Sequence, residues 1–248
     1  MDLTFVFPCL NESRTIALCI DAVRKSLEGD PALKYEIVVA DNGSTDDSRQ
    51  IATDRGARVV PVPTRGYGAA LRGGIDAAEG KYVMFADADG TYFYENSLEL
   101  YKTTSKADAD MGIASRMKGT IEPGAMPTLH RILGTPVLTG LINLLFKGKL
   151  SDCNSGFRCL KKTAYQTWDI RASGMEFASE LLIKALKAGT HTVEIASGLR
   201  CGPPNRVAHL RTWRDGMRHL LFIFSEKPRL FELIGFITVL LTTLLQVD

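Results

Sequence analysis

The chain is short of the features that usually announce a function. Its five cysteines, Cys9, Cys19, Cys153, Cys159 and Cys201, form no C-x-x-C pair, and the odd count argues for a reducing compartment rather than a disulfide framework. Net charge is nearly absent: 30 Lys and Arg against 28 Asp and Glu leave +2. With neither a zinc-finger spacing nor an aromatic-rich RNA-binding signature, no nucleic acid is expected as a partner. Asp2 to Phe7 enter a strand pattern directly, without the basic start and long apolar stretch of a cleavable signal peptide. The glycines from Gly66 to Gly74 do not fit G-x-G-x-x-G, so they read as points of close packing and not as a phosphate loop.

What is present is an alternation of short apolar runs and helical spacings. Leu3 to Phe7 reads as a strand ended by Pro8; Asn11 or Ser13 offers an N-cap, and Ile16, Ile20, Val23 and Leu27 recur at helical spacing until Gly29 and Pro31. Tyr35 to Ala40 repeats the strand, Asp41-Asn42-Gly43 turns, and Ser44 with Asp47 resembles a capping box for the next helix. Arg58 to Val62, an Ala-rich helix to about Ala78, Tyr82 to Ala86, a helix over Asn96 to Lys106 and a strand over Ala109 to Ala114 continue the rhythm. Such alternation predicts an α/β fold whose mostly parallel sheet is covered by helices on both faces. Ligands of these sheets sit at the carboxyl ends of strands, where Glu12, Asp41, Asp87 and Asp89 all fall.

Asp87-Ala88-Asp89 is the motif with the most chemistry in it. A buried carboxylate is costly unless it is paired or bound to metal, so two of them at a strand end read as a divalent-cation site holding a phosphate-bearing ligand. Beyond Ser115 the rhythm breaks. Gly119 to Pro127 is turn-rich, and Pro136 to Phe146 is strongly apolar, either a core helix or one that dips into a membrane surface or lines a lipid groove. Asp152 to Arg158 is expected as a polar loop and Met175 to Lys187 as an amphipathic helix. From Arg200 to Arg229 basic residues far outnumber acidic ones, and Leu230 to Val247 is almost wholly apolar, close to the ~20 residues that span a bilayer core. The expected organisation is a catalytic domain over 1–210, a basic juxtamembrane amphipathic helix over 211–229, and the truncated start of a transmembrane segment over 230–248. The basic flank predicts a cell-membrane protein with its catalytic domain on the cytoplasmic side.

The set Pro8-x-x-Asn11-Glu12, Asp41-Asn42-Gly43-Ser44-x-Asp46, Asp87-Ala88-Asp89-Gly90 and Ser151-Asp152-x-x-Ser155-Gly156-Phe157-Arg158, in that order, resembles the family 2 glycosyltransferases. It is most similar to the branch that contains dolichol-phosphate mannose synthase and bacterial polyprenyl-phosphate hexosyltransferases. The likeness runs over nearly the whole chain, including Gly174 to Glu180 and Leu210 to Gly216. It implies a GT-A fold, Rossmann-like in its sheet, a UDP- or GDP-hexose donor, Mg²⁺ or Mn²⁺ as cofactor, inversion at the anomeric carbon, and a dolichyl or undecaprenyl phosphate acceptor at the membrane. A homo-oligomer is compatible with this reading.

Roles follow for named residues. Pro8, Leu10, Glu12 and Asp41 are expected around the base and ribose, and Asp87, Ala88 and Asp89 at the pyrophosphate, with Asp87 and Asp89 as metal ligands. Thr91 stands where mannose synthases place a metal-reaching Gln. Asp152 matches the family's candidate general base. A lipid monophosphate is already largely anionic at pH 7, however, so Asp152 is equally suited to orienting the acceptor or holding a positive group in place. Arg116 is assigned to the donor side, and Arg158, Arg200, Arg206, His209 and Arg211 to the acceptor phosphate, because the guanidinium fork binds two oxygens at once. The rival within the family is transfer to a soluble or polysaccharide acceptor; the Q-x-x-R-W of processive enzymes is missing. A nucleotidyltransferase would carry a Gly-rich, basic loop after the first strand, where Pro8-Cys9-Leu10-Asn11-Glu12 stands instead. A catalytically dead scaffold would have lost the acidic pair.

Overall fold

A computed structural model describes residues 1–203, 212–228 and 232. Seven strands form one sheet: β1 (Leu3–Cys9), β2 (Tyr35–Asp41), β3 (Arg58–Pro61), β4 (Tyr82–Phe85), β5 (Met111–Ser115), β6 (Arg158–Lys161) and β7 (Thr192–Ala196). Their order is β3-β2-β1-β4-β6-β5-β7, parallel throughout except for β6, which runs antiparallel to both β4 and β5. The mostly parallel sheet is thus as expected. The reversed strand is not, because Arg158 at its start had been placed at the end of a loop.

The central strands bury both faces, as their apolar runs require, while the edge strands β3 and β7 are partly exposed. On one side Phe5 and Phe7 join Ile16, Ile20, Val23 and Leu27 of α1 (Ile16–Leu27) and Leu100 of α4 (Ser97–Lys106). On the other, Val6, Val38 and Val83 meet Leu71 and Ile75 of α3 (Tyr67–Ala77), Ile142 of α5 (Thr135–Phe146) and Leu181 of α7 (Phe177–Lys187). Alternation along β1 sends Phe5 and Phe7 one way and Val6 the other, which is the period-two rule of a strand. Remaining helices are α2 (Ser48–Asp54), α6 (Lys162–Thr167) and α8 (Thr212–Ser225), with a 3₁₀ turn at Tyr94–Asn96 and a π-helical turn at His130–Gly134 leading into α5.

Two local expectations are corrected. Ser44 does not cap α2, which begins four residues later; its backbone N–H instead donates to Asp41 Oδ1 (3.0 Å), while Asp46 Oδ1 accepts from the Ser48 N–H (3.0 Å). Asn11 does not cap α1; it adopts φ +59° and its side-chain oxygen accepts from the Thr45 N–H (2.8 Å). Both polar side chains tie one strand-end loop to another, an alternative that short polar residues always offer the backbone.

Helix α8 falls inside the stretch expected to be amphipathic. Its Ile223 is fully buried, Phe222 and Phe224 pack on the same core as α7, and Ser179 Oγ lies 2.6 Å from His219 Nδ1. Among the described residues no helix is long and apolar enough to cross a membrane. The expected transmembrane segment over 230–248 lies outside the described residues except for position 232, as does the whole 204–211 approach to α8.

Candidate active site

Parallel strands deliver the residues that follow them to one edge of the sheet, and the reversed β6 delivers the residues that precede it to that same edge. Three clusters meet there.

The first is built from the loops after β1, β2 and β3. Asp41 ends β2 almost fully buried; its carboxylate accepts from the Gly43 and Ser44 N–H groups (3.2 and 3.0 Å) and lies 3.9 Å from Arg49 Nε. Asn42 donates to the carbonyls of Val62 and Thr64 (3.0 and 2.7 Å) and accepts from Gly66 N–H (2.8 Å), so the three loops are laced together. Glu12 is half-buried, its backbone N–H held by Ser48 Oγ (2.8 Å) and its carboxylate by the Thr15 hydroxyl (3.1 Å). Pro8 and Leu10 flank Cys9, also half-buried; burial pushes the Cys9 thiol up to about 11, so it stays protonated and inert.

The second cluster surrounds the acidic pair. Asp89 is 5% exposed, and its Oδ1 accepts from both the N–H and the hydroxyl of Thr91 (2.9 and 2.7 Å). Thr91, expected as a metal ligand, therefore has its hydroxyl proton directed at Asp89 and orients that carboxylate instead of standing as an independent third ligand. Ala88 is buried between the two acids. Tyr94 Oη donates to the Asp87 carbonyl (2.6 Å) and accepts from Gly90 N–H (3.3 Å), fixing the turn in which Gly90 takes φ +77°. Asp87 Oδ2, Tyr92 Oη and Tyr67 Oη all lie within 3.4 Å of the point where a Cβ on residue 156 would sit, at 3.2, 2.9 and 3.4 Å. Gly156 is a glycine because three oxygens converge there; its N–H donates to Tyr92 Oη (2.7 Å). Burial, with the charge of Asp87 next, raises the Tyr67 hydroxyl well above its ordinary range and keeps it a donor to Asp87. The sequence reading missed Tyr67, Tyr92 and Tyr94. The available signal was position alone: two tyrosines just past D-A-D-G, and one between Gly66 and Gly68.

The third cluster comes from the ends of β5 and β6. Asp152 has no exposed surface, and four donors surround its carboxylate: Arg116 N–H and Nε to Oδ2 (3.1 and 2.8 Å), Arg116 Nη2 and the Asn154 N–H to Oδ1 (2.9 and 3.1 Å). Burial alone would raise this carboxyl, but the hydrogen bonds and charge of Arg116 outweigh it and hold it below the usual carboxylate range. Arg116 is driven the other way, its loss of hydration more than offset by Asp152.

Arg158, expected to clamp the acceptor phosphate, is 1% exposed and donates to the carbonyls of Ser155, Ala178 and Cys153 (2.8, 3.2 and 2.8 Å). It is a structural cross-brace with its fork already filled, and that expectation is corrected. Arg200 lies at the rim: its guanidinium stands 4.2 Å over the Phe93 ring, Nη2 donates to Glu95 Oε2 (3.0 Å), and its N–H donates to the Thr91 carbonyl (2.8 Å), which ties it to the acidic loop. Its Nε is buried without a hydrogen-bond partner among the described residues. Arg206, His209 and Arg211 lie outside the described residues.

The family model for Glycosyl transferase family 2 matches residues 4–168, from β1 through α6 and across all three clusters. The chain belongs to glycosyl transferase family 2. Among curated family members it is 39% identical over 236 residues to the low-salt glycan biosynthesis hexosyltransferase Agl6 of Haloferax volcanii, covering 94% of this chain and 56% of that protein. It is 32% identical to the human dolichyl-phosphate beta-glucosyltransferase, covering 89% of this chain and 74% of that one. The chain thus spans little more than half the length of the archaeal relative. A crystal structure of glucosyl-3-phosphoglycerate synthase from Mycobacterium tuberculosis, in complex with Mn²⁺, uridine diphosphate and phosphoglyceric acid, shares the fold with a TM-score of 0.67 at 22% identity, over 91% of this chain and 78% of that one. The expectation of a family 2 fold is met.

Chemically, the edge of the sheet offers two adjacent carboxylates without a third acid: among the described residues no three His, Cys, Asp or Glu side chains converge as a ligand set. Two carboxylates plus oxygens from a bound pyrophosphate and water match the way Mg²⁺ is held at phosphate-bearing substrates, and hard oxygen donors suit Mn²⁺ equally.

Proposed function

We propose that this chain is the catalytic part of an inverting glycosyltransferase that moves a hexose from UDP- or GDP-hexose to a polyprenyl phosphate at the cytoplasmic face of a membrane. The observation that carries this reading is the state of Asp152. With Arg116 and the Asn154 N–H on both its oxygens and its pKa held down, it is a poor acceptor for a proton. A hydroxyl acceptor needs a general base; a phosphate monoester does not, because at neutral pH its oxygen already carries charge. The relative that acts on dolichyl phosphate supports the same acceptor class.

In this reading Glu12 and Asp41, with backbone near Pro8 and Leu10, hold the nucleoside. Asp87 and Asp89 would hold Mg²⁺ or Mn²⁺, which neutralises the charge of the departing nucleotide diphosphate. Tyr67 keeps Asp87 in place, Thr91 keeps Asp89 in place, and Asp152 holds Arg116 as a fixed cation for two anionic substrates. Arg200, whose N–H donates to the Thr91 carbonyl, is assigned to the acceptor side, and Arg206, His209 and Arg211 are assigned by sequence to the same phosphate.

The test is transfer from labelled UDP-glucose, UDP-galactose and GDP-mannose to polyprenyl phosphate in detergent with Mg²⁺ or Mn²⁺. One of these donors is expected to yield a lipid-linked sugar. Glycosylation of a soluble hydroxyl acceptor with none of the lipid would overturn the reading.

A further inference from the structure

Helix α5 is apolar on both sides: Ile142 and Phe146 are buried in the core, and a second apolar set points outward. Its polar residues Thr135, Thr139 and Asn143 recur every fourth position and face the protein: the two threonines are 4% and 5% exposed, and Asn143 both donates to the Leu150 carbonyl and accepts from the Leu150 N–H (2.8 and 2.9 Å). Its outward face, continued through the π-helical turn, carries Leu129, Ile132, Leu133, Val137 and Leu144, with Ile132 at 69% and Leu144 at 79% exposure. Of the nine large apolar side chains exposed among the described residues, these are five. A surface helix ordinarily turns polar residues toward water; a second, outward apolar stripe of this size marks a surface that does not face water.

The charges around the stripe say what it faces. From Pro127 to Lys149 the sequence holds no acidic residue, and its cations stand only at the two ends: Arg131 before the helix, Lys147 and Lys149 after it, all three exposed. A protein partner would not require that arrangement. An anionic lipid surface does, since an apolar face enters the acyl boundary while flanking cations stay at the headgroups. At twelve residues α5 is roughly 18 Å long, too short to cross a bilayer core of about 30 Å, so it lies in the plane of the surface.

We propose that the Leu129–Leu144 face of α5 docks into the surface of a bilayer containing anionic phospholipid, and that its inward face carries that contact to the acceptor side of the site. The connection is direct. Cys153 N–H donates to Thr139 Oγ1 (3.1 Å), and Asn143 brackets Leu150, so the helix grips the loop on both sides of Asp152. This deepens the lipid-acceptor reading and rests on it for its purpose, though not for its geometry. A membrane-embedded phosphate would meet Arg116 at a depth fixed by how far α5 sinks.

The experiment places tryptophan on the full chain at Val137→Trp or Leu144→Trp, with the unsubstituted chain as background for Trp168 and Trp213, and adds vesicles of brominated phosphatidylcholine with or without phosphatidylglycerol. Quenching of the new tryptophan, stronger with phosphatidylglycerol, is the expected result. Vesicle binding without quenching overturns the proposal by locating the attachment elsewhere. Emission already shifted to the blue without vesicles also overturns it: loss of that shift on dilution identifies a second copy of the chain as the cover, and its persistence identifies the chain's own residues 233–248. Leu144→Glu is further expected to lower transfer to polyprenyl phosphate in vesicles roughly tenfold while leaving transfer to the same acceptor in detergent unchanged; an equal loss in both media overturns the coupling. Quenching by vesicles with no transfer by the unsubstituted chain in either medium supports docking and overturns the lipid-acceptor reading, which keeps the two failures apart.

Discussion

Asp152 and Arg116 form a buried pair in which each residue makes sense only with the other. Asp152→Asn leaves a guanidinium that is mostly enclosed without its counter-charge, and is expected to destabilise the fold by about 3–5 kcal/mol in chemical denaturation. Transfer should fall by a similar factor at every pH, since no titrating base is being removed; a loss confined to low or high pH would restore the general-base role. Asp89→Asn removes one of two carboxylates from the proposed cation site. It should lower transfer by roughly a hundredfold or more at saturating donor, with little change in melting temperature, because an amide oxygen can still accept from the Thr91 N–H and hydroxyl that donate to Oδ1. Tyr67→Phe deletes one hydroxyl that holds Asp87; the Mn²⁺ concentration needed for half-maximal binding of the nucleotide diphosphate, read by calorimetry, should rise roughly tenfold. An unchanged metal requirement would mean that Asp87 keeps its orientation without it. At this scale the sequence was most informative where chemistry forces residue type, as at Asp87, Asp89 and Asp152. It was least so where geometry decides, since nothing in the letters separates an arginine that clamps phosphate from Arg158, whose three donors are filled by carbonyls.

Elements were legible to the extent that their apolar pattern was strong. Strands β1, β2 and β4, buried on both faces, and helices α1, α4 and α7, with one clear apolar side, stand close to where their spacing puts them. Strand β6 was not legible: it is four residues long, opens on a buried arginine and lies between neighbours that are parallel to one another's kin, so its pairing is a tertiary fact. The supposed capping box at Ser44 failed for a related reason, the competing attraction of the buried Asp41 carboxylate. Helix α5 could be read as apolar but not as having an outward apolar face, because three polar residues at fourfold spacing look the same whether they face in or out. Their orientation has a measurable counterpart. Asn143→Ala removes both bonds to Leu150 and is expected to cost about 1–3 kcal/mol, with faster amide exchange at residues 150–154 while that of β1 is unaffected.

For the molecule as a whole, stability should depend on acid in a defined way. The carboxyls of Asp152, Glu36 and Asp46 are each raised by burial and lowered further by their partners: Arg116 for Asp152, Arg58 and neighbouring donors for Glu36, Ser48 and Ser13 for Asp46. With folded values below unfolded ones, the stability they contribute is present in full above the ordinary carboxylate range, about pH 4 to 5, and is lost as pH falls through the folded values. Denaturant midpoints should therefore be level from neutral pH to about 5 and drop below it, with Asp152→Asn showing a shallower drop.

The reversed strand β6 has a consequence for how such a chain can change over time. The carboxylates proposed for the donor side, Glu12, Asp41, Asp87 and Asp89, stand at the trailing ends of parallel strands, whereas Arg116 and Asp152 lie between two fixed posts, Ser115 at the end of β5 and Arg158 at the start of β6, on a single excursion that leaves the sheet and returns to it. Loop-closure cost grows only slowly with length, so that excursion can be lengthened, shortened or rewritten with little strain on the posts. Donor chemistry and acceptor choice are in this sense separable parts of one polypeptide, and a sheet with one strand turned around is what keeps them so.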